Sequence, residues 1–478
     1  MYLAISWQEL TGWLALADFL IVSLTLLSIL SLKKESISAT AWCMTVLFMN
    51  IFGVILYWTF GYQSLQRPLR RKKQHAEAFR KRVATNPVPA AVQAGFGDDL
   101  AQLAIRLGAS PVVSGNRVDF YHEGATAFEA MLAAIRGAQK QVQIEFFIFR
   151  ADESGTAFID ALVERLRAGV QVRFLYDAVG SWGLHRKLLK RLSEAGGKVS
   201  PFLTLLNPLR RRIQINLRNH RKILIVDDCI GFTGGFNIGD EYLGKHAFFG
   251  HWRDMFVRVE GPAVHWMQRV FLEDWDFATE SHSPEVETNP TPEAKGDVPV
   301  QVAWSGPDQD IRTIRETYFA AIMRAEKRVW IATPYFVPDA GLLDALCLAA
   351  RSGRDVRLLL PFRPDKWLPF LAGRFYWSEA LAAGVKLYQY TRGFLHLKLM
   401  IVDDGWASVG SANFDNRSLL LNFEMTCLIQ AKESVDNLET AFLHDLSQSI
   451  RVNAVEYAGR GFVGRMTENA CRLMSPVL

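Results

Sequence analysis

Cysteine is scarce in this 478-residue chain, and the five present (Cys43, Cys229, Cys347, Cys427 and Cys471) never fall into a C-x-x-C pair. A scattered, odd-numbered set in apolar company excludes a disulfide framework and a thiolate zinc site, and it reads as reduced, buried thiols. Charge is missing altogether from residues 36–66. A bilayer is crossed by about 20 apolar residues, so this stretch is long enough to span one. The run before it, residues 13–32, is also long enough and is interrupted only by Asp18. A carboxylate at that depth has to find a partner or lie near an interface. No basic segment precedes the first run and a second span follows it directly, which argues against a cleaved secretory signal.

A large excess of one charge is lacking too: the formal net charge is only +5. The basic residues are concentrated instead, at "QRPLRRKKQ" (Arg67, Arg70, Arg71, Lys72, Lys73) and at "RRRIQINLRNHRK" (210–222). Such clusters suit anionic lipid headgroups or nucleic acid equally well, with part of each serving only as a solvated face. The first cluster outweighs Lys33 and Lys34, which stand between the apolar runs beside Glu35. That asymmetry predicts two spans with both termini, and the C-terminal body, on the cytoplasmic side. Residues 67–108 then read as a basic amphipathic neck.

Beyond residue 108 the chain repeats itself. "GTAFIDALVERLRAGVQVRFLYD" (155–177) aligns with "DAGLLDALCLAARSGRDVRLLLP" (339–361) at an offset of 184. Each copy is an amphipathic helix, a glycine stop and an apolar strand, with another strand candidate ahead of it in "VQIEFFIF" or "VWIATPYF". Helices alternating with apolar strands predict α/β sandwiches. A unit this long, occurring twice, is a duplicated domain and not a solenoid. The Pro- and Glu-rich stretch 281–297 suits the seam, dividing the chain into two membrane helices (1–66), the neck (67–108), a first repeat (109–290) and a second repeat (291–478).

Each repeat carries one further string. "HRKILIVD" (220–227) and "HLKLMIVD" (396–403) both spell H-x-K-x4-D, and each is followed at the same distance by G-[GS]-x-N. Without a gap, eight of eighteen positions are identical between 220–237 and 396–413. With a period of two, His220 and Lys222 share a strand face, as do His396 and Lys398, while "ILIV" and "LMIV" form the buried strand bodies. If the repeats pack face to face, two imidazoles, two ammonium groups and the amides of Asn237 and Asn413 meet around a pseudo-twofold axis. Those donors match the charge that develops on a phosphodiester in its transition state. One imidazole can attack phosphorus while the other protonates the leaving oxygen and later deprotonates the acceptor. No metal or other cofactor is needed for this chemistry, and carboxylates serve to fix imidazole tautomer and orientation.

With the strings "GFNIGDEYLG", "WRD…GPAV", "SGPD", "TPYFVPD" and "GSANFDNRSLLLNFE", the chain resembles the phospholipase D superfamily over nearly its whole length. Within that superfamily it is most similar to the bacterial cardiolipin synthases. The resemblance implies two α/β sandwich repeats behind a transmembrane hairpin, in a multi-pass inner-membrane enzyme. It implies His220 and His396 as nucleophile and general acid/base, with Lys222, Lys398, Asn237 and Asn413 binding phosphate. It further implies that Glu424, in "NFE", supports an active-site histidine, and internal alignment of "DMFVRV" with "EMTCLI" makes Asp254 its counterpart. Asp227 and Asp403, the motif aspartates, are expected to organise the motif and not to touch substrate. The implied reaction joins two phosphatidylglycerol molecules into cardiolipin and glycerol through a phosphatidyl-histidine intermediate; hydrolysis, or transfer to another alcohol, is the alternative. Anionic membrane lipid is the expected partner, nucleic acid is not, and a homo-oligomer is compatible with the resemblance. Two segments, "RPDKWLPFLAGRFYW" (363–377) and the C-terminal "GFVGRMTENACRLMSPVL", have the mixed aromatic and basic character of interfacial segments.

Overall fold

A computed structural model describes residues 7–32, 36–58, 66–83, 98–203, 217–246, 250–279 and 292–478. Lys33, Lys34, Arg210, Arg211, Arg212 and most of the expected seam lie outside the described residues. The chain divides into two units, 1–71 and 72–478.

The first unit is built on the helices Trp7–Leu32 and Ser36–Leu56, which contain spans long and apolar enough to cross a membrane at Thr11–Ser31 and Ser38–Leu56. Ile29, Val46, Val54 and Tyr57 are buried between them, while Phe19, Leu24 and Phe48 point outward. Outward apolar side chains suit a lipid solvent, since both helices satisfy their backbone internally. Asp18 is paired across the hairpin: Asn50 Nδ2 donates to its Oδ2 at 2.7 Å.

In the second unit the duplication is explicit. From one edge inward, the strands Lys198–Phe202, Gln171–Asp177, Gln141–Phe146, Ile223–Val226, Ile230–Gly234, His251–Glu260 and Val113–Glu123 lie side by side. The counterparts Lys386–Tyr390, Asp355–Pro361, Arg328–Ala332, Leu399–Val402, Trp406–Gly410, Glu424–Ile429 and Val298–Ser305 follow the same order from the other side, where Ser449–Arg451 forms the edge outside Lys386–Tyr390. The first three strands of each set are parallel and the remainder antiparallel. The two sets join where Val113 pairs with Val300, giving one continuous 16-stranded sheet. Asp152 and Asp339 cap equivalent helices, accepting from the N–H groups of Gly155 and Leu342. Gly169 and Gly353 end those helices at φ +91° and +87°, a conformation that side chains other than glycine rarely take.

Strand parity sorts the core into three layers. Ile223 and Ile225 join Leu399 and Ile401 in an apolar layer shared by the two repeats. Leu224 and Val226 face the helices of the first repeat, whereas Met400 and Val402 face those of the second. The repeats therefore pack face to face as well as edge to edge. Two expectations need correction. The helix Asp98–Arg106, expected in a neck, puts Leu100 and Ala104 into the helical core of the second repeat. Of the five cysteines, all free, only Cys347 and Cys427 are buried, and the other three are half-buried.

Candidate active site

The regular strands of the two motifs begin at Ile223 and Leu399, so each histidine and lysine sits in the extended lead-in and not in the strand itself. The other repeat holds that lead-in. His220 N–H donates to Phe423 C=O at 2.9 Å, and His396 N–H donates to Arg253 C=O at 2.7 Å. Each acceptor immediately precedes a carboxylate of the opposite repeat, Glu424 or Asp254.

Those carboxylates close reciprocal pairs. His220 Nδ1 lies 2.9 Å from Glu424 Oε1 and 3.1 Å from Oε2, while His396 Nδ1 lies 2.6 Å from Asp254 Oδ2. All four side chains are buried. The halves differ in how the carboxylate is seated. Glu424 accepts from the Ser411 hydroxyl, and that oxygen in turn accepts from Met425 N–H at 3.0 Å. Asp254 is one methylene shorter and takes the equivalent Met255 N–H itself, at 2.8 Å. The residue matching Ser411 is Gly235, where a Cβ would stand 1.9 Å from Asp254 Oδ1. Ser–Glu and Gly–Asp are thus two solutions to one seat, which explains why a hydroxyl occurs in one half only.

Both lysines curl back on their own motif, Lys222 Nζ donating to His220 C=O at 2.6 Å and Lys398 Nζ to His396 C=O. Lys398 Nζ also lies 2.8 Å from His396 Nδ1. Burial, only partly offset by Glu424 and Asp254, lowers Lys222 to about 7 and Lys398 to about 8. Burial also lowers His220 to about 4, and it lowers His396 well below the usual histidine range, where Lys398 and Lys222 repel the added proton. Asp254 is pushed up by burial to about 6. Glu424 resists the same burial because His220 and Lys222 favour its charge, so its pKa falls. A cluster of cations destabilised in this way is relieved by a bound anion. The Phe147 ring meets His220 edge to face at 4.9 Å, forming one apolar wall.

The remaining expected residues lie elsewhere or are otherwise engaged. Asp227 and Asp403 take positive φ (50° and 51°) at the far end of the four-residue strands, on the order of 17 Å along the chain from the lysines. Asp227 accepts the N–H groups of Gln139, Lys140 and Gln141, and Asp403 those of Glu326, Lys327 and Arg328. They tie the motif strand to its neighbour and do not meet the histidines. The Asn237 amide is already engaged: Oδ1 accepts from Ile148 N–H at 3.0 Å and Nδ2 donates to Tyr242 Oη at 3.0 Å. Asn413 differs, with a buried Oδ1 that has no partner among the described residues.

Part of each basic cluster is buried and not free for lipid headgroups. Arg218, Arg221 and Lys222 of the second cluster are buried and are no lipid-facing patch. Lys72 of the first is also buried, with Nζ 2.8 Å from Asp274 Oδ1 and 3.4 Å from Glu273 Oε1. Asp274 also binds Arg221, which stands between His220 and Lys222 and donates to Glu424 C=O at 3.2 Å. Asn219 links this group to Glu145 and, at 3.2 Å, to Asp274. Burial and the neighbouring Asp274 charge push Glu145 well up, whereas Arg221 and Lys72 outweigh burial at Asp274 and lower it to about 2. Nothing in the local sequence marks Lys72 as buried; the only signal is an acidic pair, Glu273–Asp274, in a distant helix whose other buried residues are apolar apart from Gln268 and Asp276.

Two repeats that lend each other a carboxylate around paired histidines and lysines define a phospholipase D-like enzyme. Residues 131–275 and 318–446 match the family described as cardiolipin synthase, PLD-like domain, and residues 20–61 match the phospholipase D-nuclease N-terminal family. A cardiolipin synthase of Geobacillus kaustophilus is 39% identical over 94% of this chain and 91% of its own length. The major cardiolipin synthase of Bacillus subtilis is 37% identical over 97% and 98%. Among solved structures, a phosphatidylserine synthase of Haemophilus influenzae shares the fold at a TM-score of 0.59 and 14% identity, covering 79% of this chain and all of that one. The chain belongs to the cardiolipin synthase family of phospholipase D-like phosphatidyltransferases.

Proposed function

We propose that the chain joins two phosphatidylglycerol molecules, giving cardiolipin and glycerol, with His220 as nucleophile and His396 as general acid and base. The observation that carries this reading is the reciprocal His220–Glu424 and His396–Asp254 pairing. Glu424 is held ionised, so it fixes the proton of His220 on Nδ1 and leaves the Nε2 lone pair free to attack. At His396 the raised Asp254 and the nearby Lys398 ammonium make opposed demands on Nδ1, which suits a group that gains and loses a proton.

In the first step the Nε2–phosphorus bond forms, the phosphorus–oxygen bond to glycerol breaks, and protonated His396 supplies the alcohol proton. In the second, neutral His396 removes a proton from the terminal hydroxyl of another phosphatidylglycerol. That oxygen displaces His220, and atoms and charge return to the starting state. Lys222, Lys398 and the Asn413 amide nitrogen donate to the phosphoryl oxygens, whereas Asn237 holds the loop that carries Ile148. Burial of the histidines favours a lipid alcohol over water. The body lies on the cytoplasmic side of the inner membrane, for which Arg67, Arg70, Arg71 and Lys73 remain the sequence argument. Mass spectrometry of products from labelled phosphatidylglycerol and purified full-length protein tests the reading: cardiolipin with one glycerol supports it, and phosphatidic acid as the main product overturns it.

A further inference from the structure

Tryptophan is rarely left in water, because its ring is largely apolar. From Lys72 onward two tryptophans are exposed, Trp182 at 76% and Trp367 at 67%, and every other one is buried or half-buried. These two are related by the duplication. Trp182 follows the strand Gln171–Asp177 and Trp367 follows its counterpart Asp355–Pro361, one residue apart in the register of the repeats.

The first loop is anchored to a wall of the active site, and the second to the Tyr335 side chain. In the first, the Ser181 hydroxyl donates to Phe147 C=O at 3.0 Å and accepts from Phe149 N–H, and Gly180 packs against the Phe147 ring that meets His220. Asp177, at the root of this loop, accepts from Asn219 N–H, directly before His220. In the second, Asp365 accepts from Tyr335 Oη at 2.6 Å and Lys366 Nζ lies 5.8 Å from the Tyr335 ring. The Lys366 charge is among those that bear on His396. The exposed charges around the two rings are basic: Arg186 and Lys187 beside Trp182, Arg363 and Lys366 beside Trp367. Phe362 and Leu368 add exposed apolar area on the second loop.

We propose that Trp182 and Trp367 are interfacial anchors that seat the mouth of the active site in the headgroup layer of an anionic bilayer. The inference rests on the reading that the substrates are bilayer lipids. Indole rings lodge at headgroup depth, and flanking lysine and arginine add attraction to anionic lipid. A lipid phosphate then has to rise little out of its layer to reach histidines that are themselves buried. The duplicated fold supplies two anchors, one for each half of the site.

The test compares full-length wild type with the Trp182→Ala/Trp367→Ala double variant on two substrates. On vesicles containing phosphatidylglycerol, the apparent KM of the double variant rises about tenfold while kcat holds. On short-chain phosphatidylglycerol dispersed as monomers, both parameters match wild type. Bromine-labelled acyl chains quench more of the wild-type tryptophan fluorescence than of the double variant's. Unchanged vesicle kinetics would overturn the proposal, and so would equal losses on both substrates, which would make the loops part of the pocket. Quenching is read without turnover, so it stands even if the product analysis rejects phosphatidyl transfer.

Discussion

His220 and Glu424 are 204 residues apart and belong to different repeats, yet the imidazole Nδ1 lies 2.9 Å from the carboxylate. The converse pair, His396 and Asp254, is equally crossed. Neither motif histidine meets a carboxylate of its own repeat, so neither repeat is a catalytic unit alone.

Glu424→Gln keeps size and shape but loses the charge that orients His220 and stabilises its protonated or phosphatidylated form. The expected result is a fall in kcat of about 100-fold or more with KM little changed, measured by cardiolipin formation at saturating lipid. A variant with full kcat would remove the orienting role.

The two carboxylate seats predict opposite tolerances. Ser411→Ala leaves Met425 N–H without its buried acceptor and takes one donor from Glu424, and it should destabilise the body by about 1–3 kcal/mol, with some activity retained. Gly235→Ser, which copies the other half, forces a side chain onto Asp254 and should abolish activity. Thermal melts and turnover of the two variants check this.

Anion binding should take up protons. Lys222 and Lys398 lie at about 7 and 8, so above these values they lose charge, and a bound oxyanion draws the protons back. Inhibition by vanadate or tungstate is expected to weaken as pH rises from about 6 to 9. Calorimetry in buffers of differing ionisation heat should show proton uptake near pH 8.

Lys72 tests the buried ion network behind the site. Burial works against its charge, but Asp274 and Glu273 more than compensate and raise it to about 12. Its stabilisation is therefore fully present below the ordinary lysine value of 10.5 and is lost only as pH rises through about 12. Lys72→Met should cost about 3–5 kcal/mol by leaving the buried Glu273–Asp274 pair one cation short, and adding Glu273→Gln should recover part of that. Denaturation of single and double variants gives the comparison.

Much of this was legible in the chain itself. The paired H-x-K-x4-D strings locate both histidines and lysines, and uncharged residues 36–66 announce a span, because such patterns are local. The crossing of the carboxylates was not legible, since alignment makes Asp254 and Glu424 equivalent without saying which histidine each one meets. That depends on how the two strand sets face each other. Lys72 and Arg221 were hidden for a related reason: a lysine or arginine in a basic run looks solvated until its distant partner, here Asp274, is known. The Asp227 and Asp403 carboxylates share a motif with the histidines, yet the strand between them carries them to the far side of the sheet.

The central claim, that His220 attacks while His396 handles the proton, is tested most directly by catching the intermediate. A phosphatidyl ester of p-nitrophenol has a leaving group that needs no protonation, so the first step proceeds without His396. Full-length His396→Ala, denatured during reaction with this ester and mapped by peptide mass spectrometry, should carry the phosphatidyl group on His220, and His220→Ala should carry none. The group on His396, or nitrophenol release by either variant with no adduct on histidine, would contradict the account.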